Sequence, residues 1–437
     1  MRAAREVETH SEPVVELRAP DQVNVKHRDY DHALDVTLAP LTTREHRARA
    51  RGSSGLHARR RRLTLDEATQ AAPHRWCTAP HHPRELHMIR RLTIVALAAG
   101  CHGTAAPTAP TAPATSAPPA IARAYATAAL ALPGGNPGVF MDYLIYDPRT
   151  RAVWAPAGNT AAVDVVDIAT RKITQVTGFP TQELERNGRK RIVGPSSATL
   201  GEPGTVYVGS RGDSSVCAVD EVKLVRGACG KLDSMPDGIA YVAATHEVWV
   251  TTPRDNSIRI LDATTLAQKA RLGFEGNPEG FAVDATRHRF YTNLEDKDAT
   301  LAIDLTSHAT VATWKPACGE DGPHGLRLAE PDGFLLVACS AKVEALDVGH
   351  DGAITGSLDT GDGVDDLDYV AASHAVYVGA GKDAKLTIAS LDARGALASL
   401  AVVPTKPGAR NPAAAADGSV YLANSQGGEL VVASPAP

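Results

Sequence analysis

Short apolar stretches that alternate with polar positions recur through the second half of the chain and are clearest at residues 236–265. Residues 238–242 are small and apolar, residues 247–251 alternate around Val248 and Val250, and residues 257–261 alternate again before a fourth stretch at 267–274. Period-2 patterns that are interrupted about every eight to twelve residues are typical of all-β folds. The pattern therefore predicts a unit of four short strands.

The same unit recurs along the chain at a spacing of roughly 40–45 residues, which is the period of a four-stranded propeller blade. The seven copies begin at Arg151, Thr205, His246, His288, Gly333, His374 and Ser419. One blade cannot bury its own apolar faces, whereas seven blades around an axis bury both faces of each sheet. We predict an all-β fold, a seven-bladed β-propeller; the alternative is an open solenoid of the same units.

The two ends of the repeat region favour a closed ring. The last copy stops after three strands, at Val431 and Val432, and an unused strand-like run, AYATAALAL at 124–132, precedes the first copy. We expect this N-terminal run to supply the outer strand of the last blade, because that pairing removes two exposed sheet edges.

Several stretches resemble a known family. VWVTTPRDNSIRILDATT, from Val248, and FYTNLEDKDATLAIDLT, from Phe290, are similar to the YVTN-repeat, NHL-like seven-bladed propellers of exported bacterial proteins, often labelled surface-layer-like; CGEDGPHGL and PEGFAVD add to the likeness. The resemblance covers residues 124–437. It implies the propeller fold and export, but no single activity.

Residues 1–122 differ from the repeats. Residues 1–87 are rich in Arg and His and lack either structural period, so they predict a disordered segment, a nucleic-acid-binding arm or an extension ahead of a true start at Met88. Residues 88–101 predict an export signal that ends in a lipobox-like Cys101, which would be lipidated; the alternative is ordinary cleavage after Ala98. Residues 102–122 predict an extended Thr/Ala/Pro tether before the propeller at 123–437. The protein would then be periplasmic or anchored to the outer membrane.

Four cysteines fall within the repeats. Cys217 and Cys229 flank a predicted hairpin, and the predicted topology brings Cys318 and Cys339 to one face, so we predict disulfides Cys217–Cys229 and Cys318–Cys339, with four buried thiols as the alternative. Without the basic leader the net charge changes from −5 to about −10, which argues against nucleic acid as a partner. We expect a monomer.

In a propeller, the loops that lead into the innermost strands share one face with the loops between the second and third strands. We call this the mouth face; ligands of many propellers bind there. Alignment of the blades places one residue of each blade at the mouth of the central channel: Asp142, Ser196, Asp237, Glu279, His324, Asp365 and Arg410. Carboxylates suit a hard cation such as Ca²⁺, with Asp237, Glu279 and Asp365 as the candidate ligands. The alternative is a polar, water-filled channel without a site.

Charged turns should surround the mouth, including Arg211 in an Arg-Gly-Asp turn and Arg254 in another. They suit recognition of a polar ligand, although Gly, Asp and Asn are also ordinary turn residues. An insertion at 179–193, with four basic residues, separates the first two blades and predicts a lid, a partner contact or a solvated flap.

Two functions follow from these features. The first is a non-enzymatic binding or scaffold module of the cell envelope that contacts a protein, peptide or glycan. The second is a metal-dependent hydrolase of the lactonase or esterase type, with His324 as acid/base and Glu279, Asp237 and Asp365 as ligands. Lactonase propellers also use Asn ligands, and the alignment assigns no Asn to the mouth. The chain contains no Gly-x-Ser-x-Gly or His-Glu-x-x-His motif, which favours the first function.

Overall fold

A computed structural model describes residues 124–186, 188–330 and 332–436. The predicted leader, Cys101 and the whole of the predicted tether lie outside these residues. The described part contains seven four-stranded antiparallel sheets and one two-stranded sheet. This arrangement is the predicted seven-bladed β-propeller. None of the helices in the described part is long and apolar enough to span a membrane.

The strands follow the chain in a regular order. The first strand, β1 (Tyr125–Ala131), precedes the first blade. Blade one contains β2 (Ile145–Asp147), β3 (Ala152–Ala157), β4 (Ala162–Asp167) and β5 (Ile173–Thr177). A hairpin follows, with β6 (Gln182–Arg186) and β7 (Arg189–Val193). Blade two contains β8 (Pro195–Leu200), β9 (Thr205–Ser210), β10 (Ser215–Asp220) and β11 (Val225–Lys231). Blade three contains β12 (Ile239–Val242), β13 (Glu247–Thr252), β14 (Ser257–Asp262) and β15 (Gln268–Gly273).

The remaining blades repeat the same order. Blade four contains β16 (Pro278–Asp284), β17 (Arg289–Leu294), β18 (Ala299–Asp304) and β19 (Thr310–Trp314). Blade five contains β20 (Pro323–Ala329), β21 (Phe334–Cys339), β22 (Lys342–Asp347) and β23 (Ala353–Asp359). Blade six contains β24 (Val364–Val370), β25 (Ala375–Ala380), β26 (Lys385–Leu391) and β27 (Leu397–Pro404). Blade seven contains β28 (Arg410–Ala414), β29 (Val420–Asn424) and β30 (Glu429–Pro435). Short 3-10 turns lie at Gly158–Thr160, Pro253–Asp255, Glu295–Lys297, Gly319–Asp321 and Ala371–Ser373.

The N-terminal strand completes the last blade, as the sequence predicts. β1 pairs antiparallel with β30, from Tyr125 opposite Pro435 to Ala131 opposite Glu429, and the sheet order is β1-β30-β29-β28. The two ends of the described chain therefore hold each other in one sheet. This pairing covers the edge of β30 that the chain would otherwise expose.

Apolar side chains fill the space between neighbouring blades. Trp249 of blade three stacks on Phe290 of blade four with ring centroids 4.7 Å apart. The same kind of interface closes the ring, because Met141 and Val153 of blade one pack in one cluster with Tyr421 of blade seven. In an open solenoid, blades one and seven would not be in contact, so the alternative prediction of a solenoid is wrong.

A repeated Asp fixes the turn between the third and fourth strands of several blades. In blade three, Asp262 accepts hydrogen bonds from the backbone N–H groups of Thr264 and Thr265, at 3.1 and 2.8 Å. Leu266 then adopts a left-handed φ of 55° and closes the turn. Asp side chains favour such turns because they reproduce a backbone hydrogen bond locally.

Candidate functional site

The mouth of the channel is formed by one polar residue from the start of each innermost strand. The residues in blade order are Asp142, Ser196, Asp237, Glu279, His324, Asp365 and Asn411, and each is at most 3% exposed. Six of the seven are the predicted residues. In blade seven the equivalent residue is Asn411, one position after the predicted Arg410. The mouth therefore includes an Asn after all, which corrects the expectation that it has none.

Arg211 connects two of the predicted acids. Its guanidinium lies 2.7 Å from Asp142 Oδ2, contacts Asp237 Oδ1, and is 7% exposed. Burial alone would lower the pKa of Arg211, but Asp237 and Asp142 raise it. The Arg-Gly-Asp turn was predicted to bring Arg211 to the mouth as a paired charge, and in the structure its partners are the buried acids Asp142 and Asp237. The positive charge that Asp237 faces at close range makes this carboxylate a poor cation ligand.

Asp365 is held in a similar way on the other side of the ring. Asn411 donates to Asp365 Oδ2 at 2.8 Å and to Asp142 Oδ1 at 3.3 Å, and Arg410 Nε lies 3.5 Å from Asp365 Oδ2. Blades six, seven and one are thereby linked at the axis. Asp365 and Asp237 therefore each face a guanidinium group. The predicted metal ligands Asp237, Glu279 and Asp365 do not form one group of converging ligand atoms.

Glu279 lies in a different group. Ligand atoms of Glu279, Glu295 and His324 all lie within 4.8 Å of one another, and all three residues are buried. His324 Nδ1 is 3.4 Å from Glu295 Oε1, and its Nε2 lies 3.2 Å from Ser340 Oγ. We call this set the Glu–Glu–His cluster. Two carboxylates and an imidazole are suitable ligands for a divalent ion.

The second predicted disulfide braces this cluster. Cys318 is bonded to Cys339, next to Ser340, and the loop from Cys318 leads into β20, which carries His324. Gly322 in this loop has a φ of 69°, and a Cβ there would lie 1.6 Å from the carbonyl oxygen of Glu295. Only glycine allows the loop to close on Glu295. The covalent bond and the glycine together hold His324 and Glu295 side by side.

Tyr143 fills the channel beneath the mouth. Its hydroxyl is 3.5 Å from Asp237 Oδ2, and its ring is tilted against Phe281 with centroids 5.7 Å apart. Burial raises the pKa of Tyr143 well above its usual value, and the carboxylates of Asp237, Glu279 and Asp142 raise it further. The hydroxyl is a neutral donor at ordinary pH.

Both predicted disulfides are present, Cys217–Cys229 and Cys318–Cys339. Disulfides persist in oxidising compartments and are rare in the cytosol of most organisms. The pair of bonds indicates a non-cytoplasmic protein.

The mouth face also carries the predicted insertion and turn charges. The insertion forms the two-stranded sheet of β6 and β7, which we call the mouth hairpin. Arg191 at its base lies over the ring of Phe140, with the guanidinium carbon 3.3 Å from the ring centroid, and Lys190 pairs with Glu183 at 2.7 Å. Arg254 is exposed on the 3-10 turn of blade three, as predicted.

Sequence reasoning missed two contributors to the mouth. The run Glu295-Asp296-Lys297 has the composition of a charged turn at the mouth, yet Glu295 is only 6% exposed. Asn411 was missed because the sequence of blade seven aligns with the other blades only with a gap, and the alignment chose Arg410, one residue earlier; hydrogen bonds to acids of blades one and six place Asn411 in the mouth. The signal for Glu295 was available: it stands between the second and third strands of its blade, on the mouth face, next in space to the loop that carries His324.

No family model and no curated protein matches the chain, so membership in the YVTN-repeat group stays a prediction. Solved structures do match in fold. A chain of Kuenenia stuttgartiensis hydrazine synthase aligns with TM-score 0.56 at 15% identity, over 68% of this chain and 95% of that chain. A chain of a mitotic checkpoint complex aligns with TM-score 0.57 at 15% identity, over 75% and 99%.

A third structure is a catalytically inactive His-to-Ala variant of Staphylococcus aureus virginiamycin B lyase with quinupristin. It aligns with TM-score 0.55 at 15% identity, over 72% of this chain and 100% of that chain. At these identities the likeness shows the fold alone. The fold class is thus a seven-bladed β-propeller, and the function must be argued from this chain's own residues.

Proposed function

We propose that the protein is an exported binding module of the cell envelope, tethered through a lipid on Cys101, and that its mouth hairpin contacts a partner protein or peptide. The observation that carries this proposal is the hairpin itself. β6 and β7 pair only with each other among the described strands, beside the mouth of a ring whose blades are otherwise complete.

The surface of the hairpin suits such a contact. Ile192 is 46% exposed, and Glu183, Glu185 and Lys190 are exposed around it. An extended peptide can add to an exposed strand edge through backbone hydrogen bonds, while side chains on alternate positions give specificity. An apolar residue among charges of both signs is the composition expected of a reversible protein contact.

The paired charges at the mouth support a rigid scaffold. Arg211 bonds to acids of blades one and three, and Asn411 bonds to acids of blades one and six. These contacts use most of the predicted acids for holding blades together. A rigid ring that presents one projecting hairpin is suited to recognition, because little conformational entropy is lost on binding.

The experiment is to replace residues 182–193 with a short Gly-Ser turn and to compare this variant with the parent in capture from envelope membranes of the native host. We expect a specific partner with the parent and at least a tenfold loss with the variant. Equal capture would contradict the role of the hairpin. Mass analysis of the native N-terminus tests the lipid on Cys101 separately.

A second candidate function is a metal-dependent hydrolase of the lactonase or esterase type. The observation in its favour is the Glu–Glu–His cluster, whose ligand atoms lie within 4.8 Å of one another. Glu279 and Glu295 would hold the ion, and His324 would act as third ligand or as acid/base. The second candidate predicts heat on titration of Ca²⁺, Mg²⁺ or Zn²⁺, and chelator-sensitive turnover of a lactone panel that Glu279→Gln abolishes.

A further inference from the structure

A cavity of about 610 Å³ opens at the end of the channel opposite to the mouth face. Innermost strands of all seven blades line it, and its volume is within the range of small-molecule sites. We call it the rear cavity. The residues that matter for its chemistry are Tyr146, Tyr241, Phe281, Arg327, Asp368 and Tyr369.

Aromatic rings make up a large part of the wall. The hydroxyl of Tyr241 is engaged outside the wall, where it donates to Glu202 Oε1 at 2.5 Å and lies 3.0 Å from His246 Nδ1. The hydroxyl of Tyr369 lies 3.1 Å from His374 Nδ1 in the equivalent place of blade six. These bonds hold the two aromatic rings at the wall of the cavity, and the hydroxyl groups bond to residues outside it.

Charge is concentrated at one side of the rear cavity. Arg327 donates to both oxygens of Asp366, at 3.2 and 2.9 Å, and its Nε lies 3.5 Å from Asp368 Oδ1. One guanidinium thus stands between two carboxylates. One cation against two anions leaves a net negative charge when both acids are ionised, and burial raises the pKa of Asp366 to about 6 and also raises the pKa of Asp368.

The two acids do not play the same part. Asp366 is 3% exposed and is occupied by the paired bonds from Arg327. Asp368 lines the cavity, and its side chain is 21% exposed. Arg327 also lines the cavity, with its side chain 23% exposed, but its guanidinium already faces both carboxylates, so the charge that a ligand meets beside Asp368 is net negative. An anionic ligand would have to compete with two carboxylates for that one cation.

We propose that the rear cavity binds a small organic cation, an ammonium group carried on an apolar body, with the ammonium beside Asp368 and the body against the aromatic wall. Carboxylates attract the charge, and aromatic rings add to the attraction through the cation–π interaction. This site is at the opposite end of the channel from the mouth hairpin, so it goes beyond the proposed function and does not depend on it.

Calorimetric titration of the propeller with benzyltrimethylammonium tests the proposal, with benzyl alcohol as the neutral probe and benzoate as the anionic probe. We expect the cation to bind at least tenfold tighter than either. Asp368→Asn should weaken binding of the cation at least tenfold, because the amide keeps the shape of the side chain but loses the charge; its one oxygen can accept from Ala414 or from Tyr369 but not from both, so the fold of the variant is checked by circular dichroism. Asp392→Asn, at an exposed turn of blade six, is the matched control and should bind as the parent does.

Two variants of Tyr241 separate the contribution of its aromatic ring from that of its hydroxyl group. Tyr241→Leu should weaken binding about fivefold, whereas Tyr241→Phe should not. Absence of cation binding, tighter binding of benzoate, or equal affinity of the parent and a folded Asp368→Asn variant would overturn the proposal. The variant without the mouth hairpin should bind the cation normally, so failure of the proposed function leaves this result unaffected.

Discussion

The guanidinium of Arg211, which follows the second strand of blade two, lies 2.7 Å from the carboxylate of Asp142 at the start of blade one, and the same group contacts Asp237 of blade three. One side chain therefore neutralises buried acids of both neighbouring blades. All three residues are at most 7% exposed. The mouth of the channel depends on this contact for its charge balance.

Replacement of Arg211 should destabilise the propeller more than an ordinary surface change. Arg211→Ala leaves Asp142 and Asp237 buried without their cation, and removal of one partner of a buried ion pair costs about 3–5 kcal/mol. Denaturant unfolding measures the change. The triple variant with Asp142→Asn and Asp237→Asn should recover much of the loss; no recovery would show that packing, and not charge, explains the effect.

Removal of β1, the N-terminal strand that completes the last blade, should destabilise the ring. A variant that begins at residue 133 lacks β1 and exposes the edge of β30, so we expect a lower melting temperature and concentration-dependent aggregation. A variant that begins at residue 120 keeps β1 and is the control. Addition of a peptide with the sequence of residues 124–132 should restore the melting temperature. If the shortened ring is as stable as the control, β1 is not needed for closure.

The two disulfides should each stabilise a different region of the propeller. Cys217–Cys229 closes a loop of 12 residues and Cys318–Cys339 a loop of 21, and each bond should stabilise by about 2–4 kcal/mol. Paired Cys→Ser variants measured by thermal unfolding test this. Only the Cys318/Cys339 pair flanks His324, so only that variant should also move the imidazole NMR signals of this histidine. Equal histidine spectra in both variants would contradict the bracing role.

The buried acid Asp164 in blade one should make the stability of the propeller depend on pH. Burial raises the pKa of Asp164 from 3.8 to about 6, although Gln175 donates to Oδ1 at 2.8 Å. The folded state therefore binds more protons than the unfolded state between these values, and the group's contribution to stability falls as pH rises through this window. Relative to the parent, Asp164→Asn should gain about 3 kcal/mol between pH 4 and pH 7.5. A constant difference between the two proteins would contradict the shifted pKa.

Much of the fold could be predicted from periodicity, because residues 247–251 and 257–261 of blade three alternate between apolar and polar positions, although neighbouring blades bury both faces of these strands. The predicted stretch 257–261 became β14 (Ser257–Asp262), and the unused N-terminal run became the outer strand of the last blade. These features depend on local pattern and on the need to cover sheet edges.

The candidate site was harder to predict because it depends on single positions. In blade seven a gap in the alignment moved the predicted mouth position by one residue, from Asn411 to Arg410, and a slip of one residue turns a side chain to the other side of a strand. The sequence around Glu295 is typical of an exposed turn. The loop of the next blade, which carries Gly322, closes on Glu295. Such contacts between blades have no periodic signal in the sequence.

The central functional claim is that the mouth hairpin is the surface that meets a partner, and site-specific photo-crosslinking in the native envelope tests it most directly. The photoreactive residue replaces Ile192 in the hairpin, or Val402 in the outer strand β27 as the control; these residues are 46% and 58% exposed. We predict one discrete adduct from position 192 and none of the same mass from position 402. No adduct from position 192, or the same adducts from both positions, would contradict the claim.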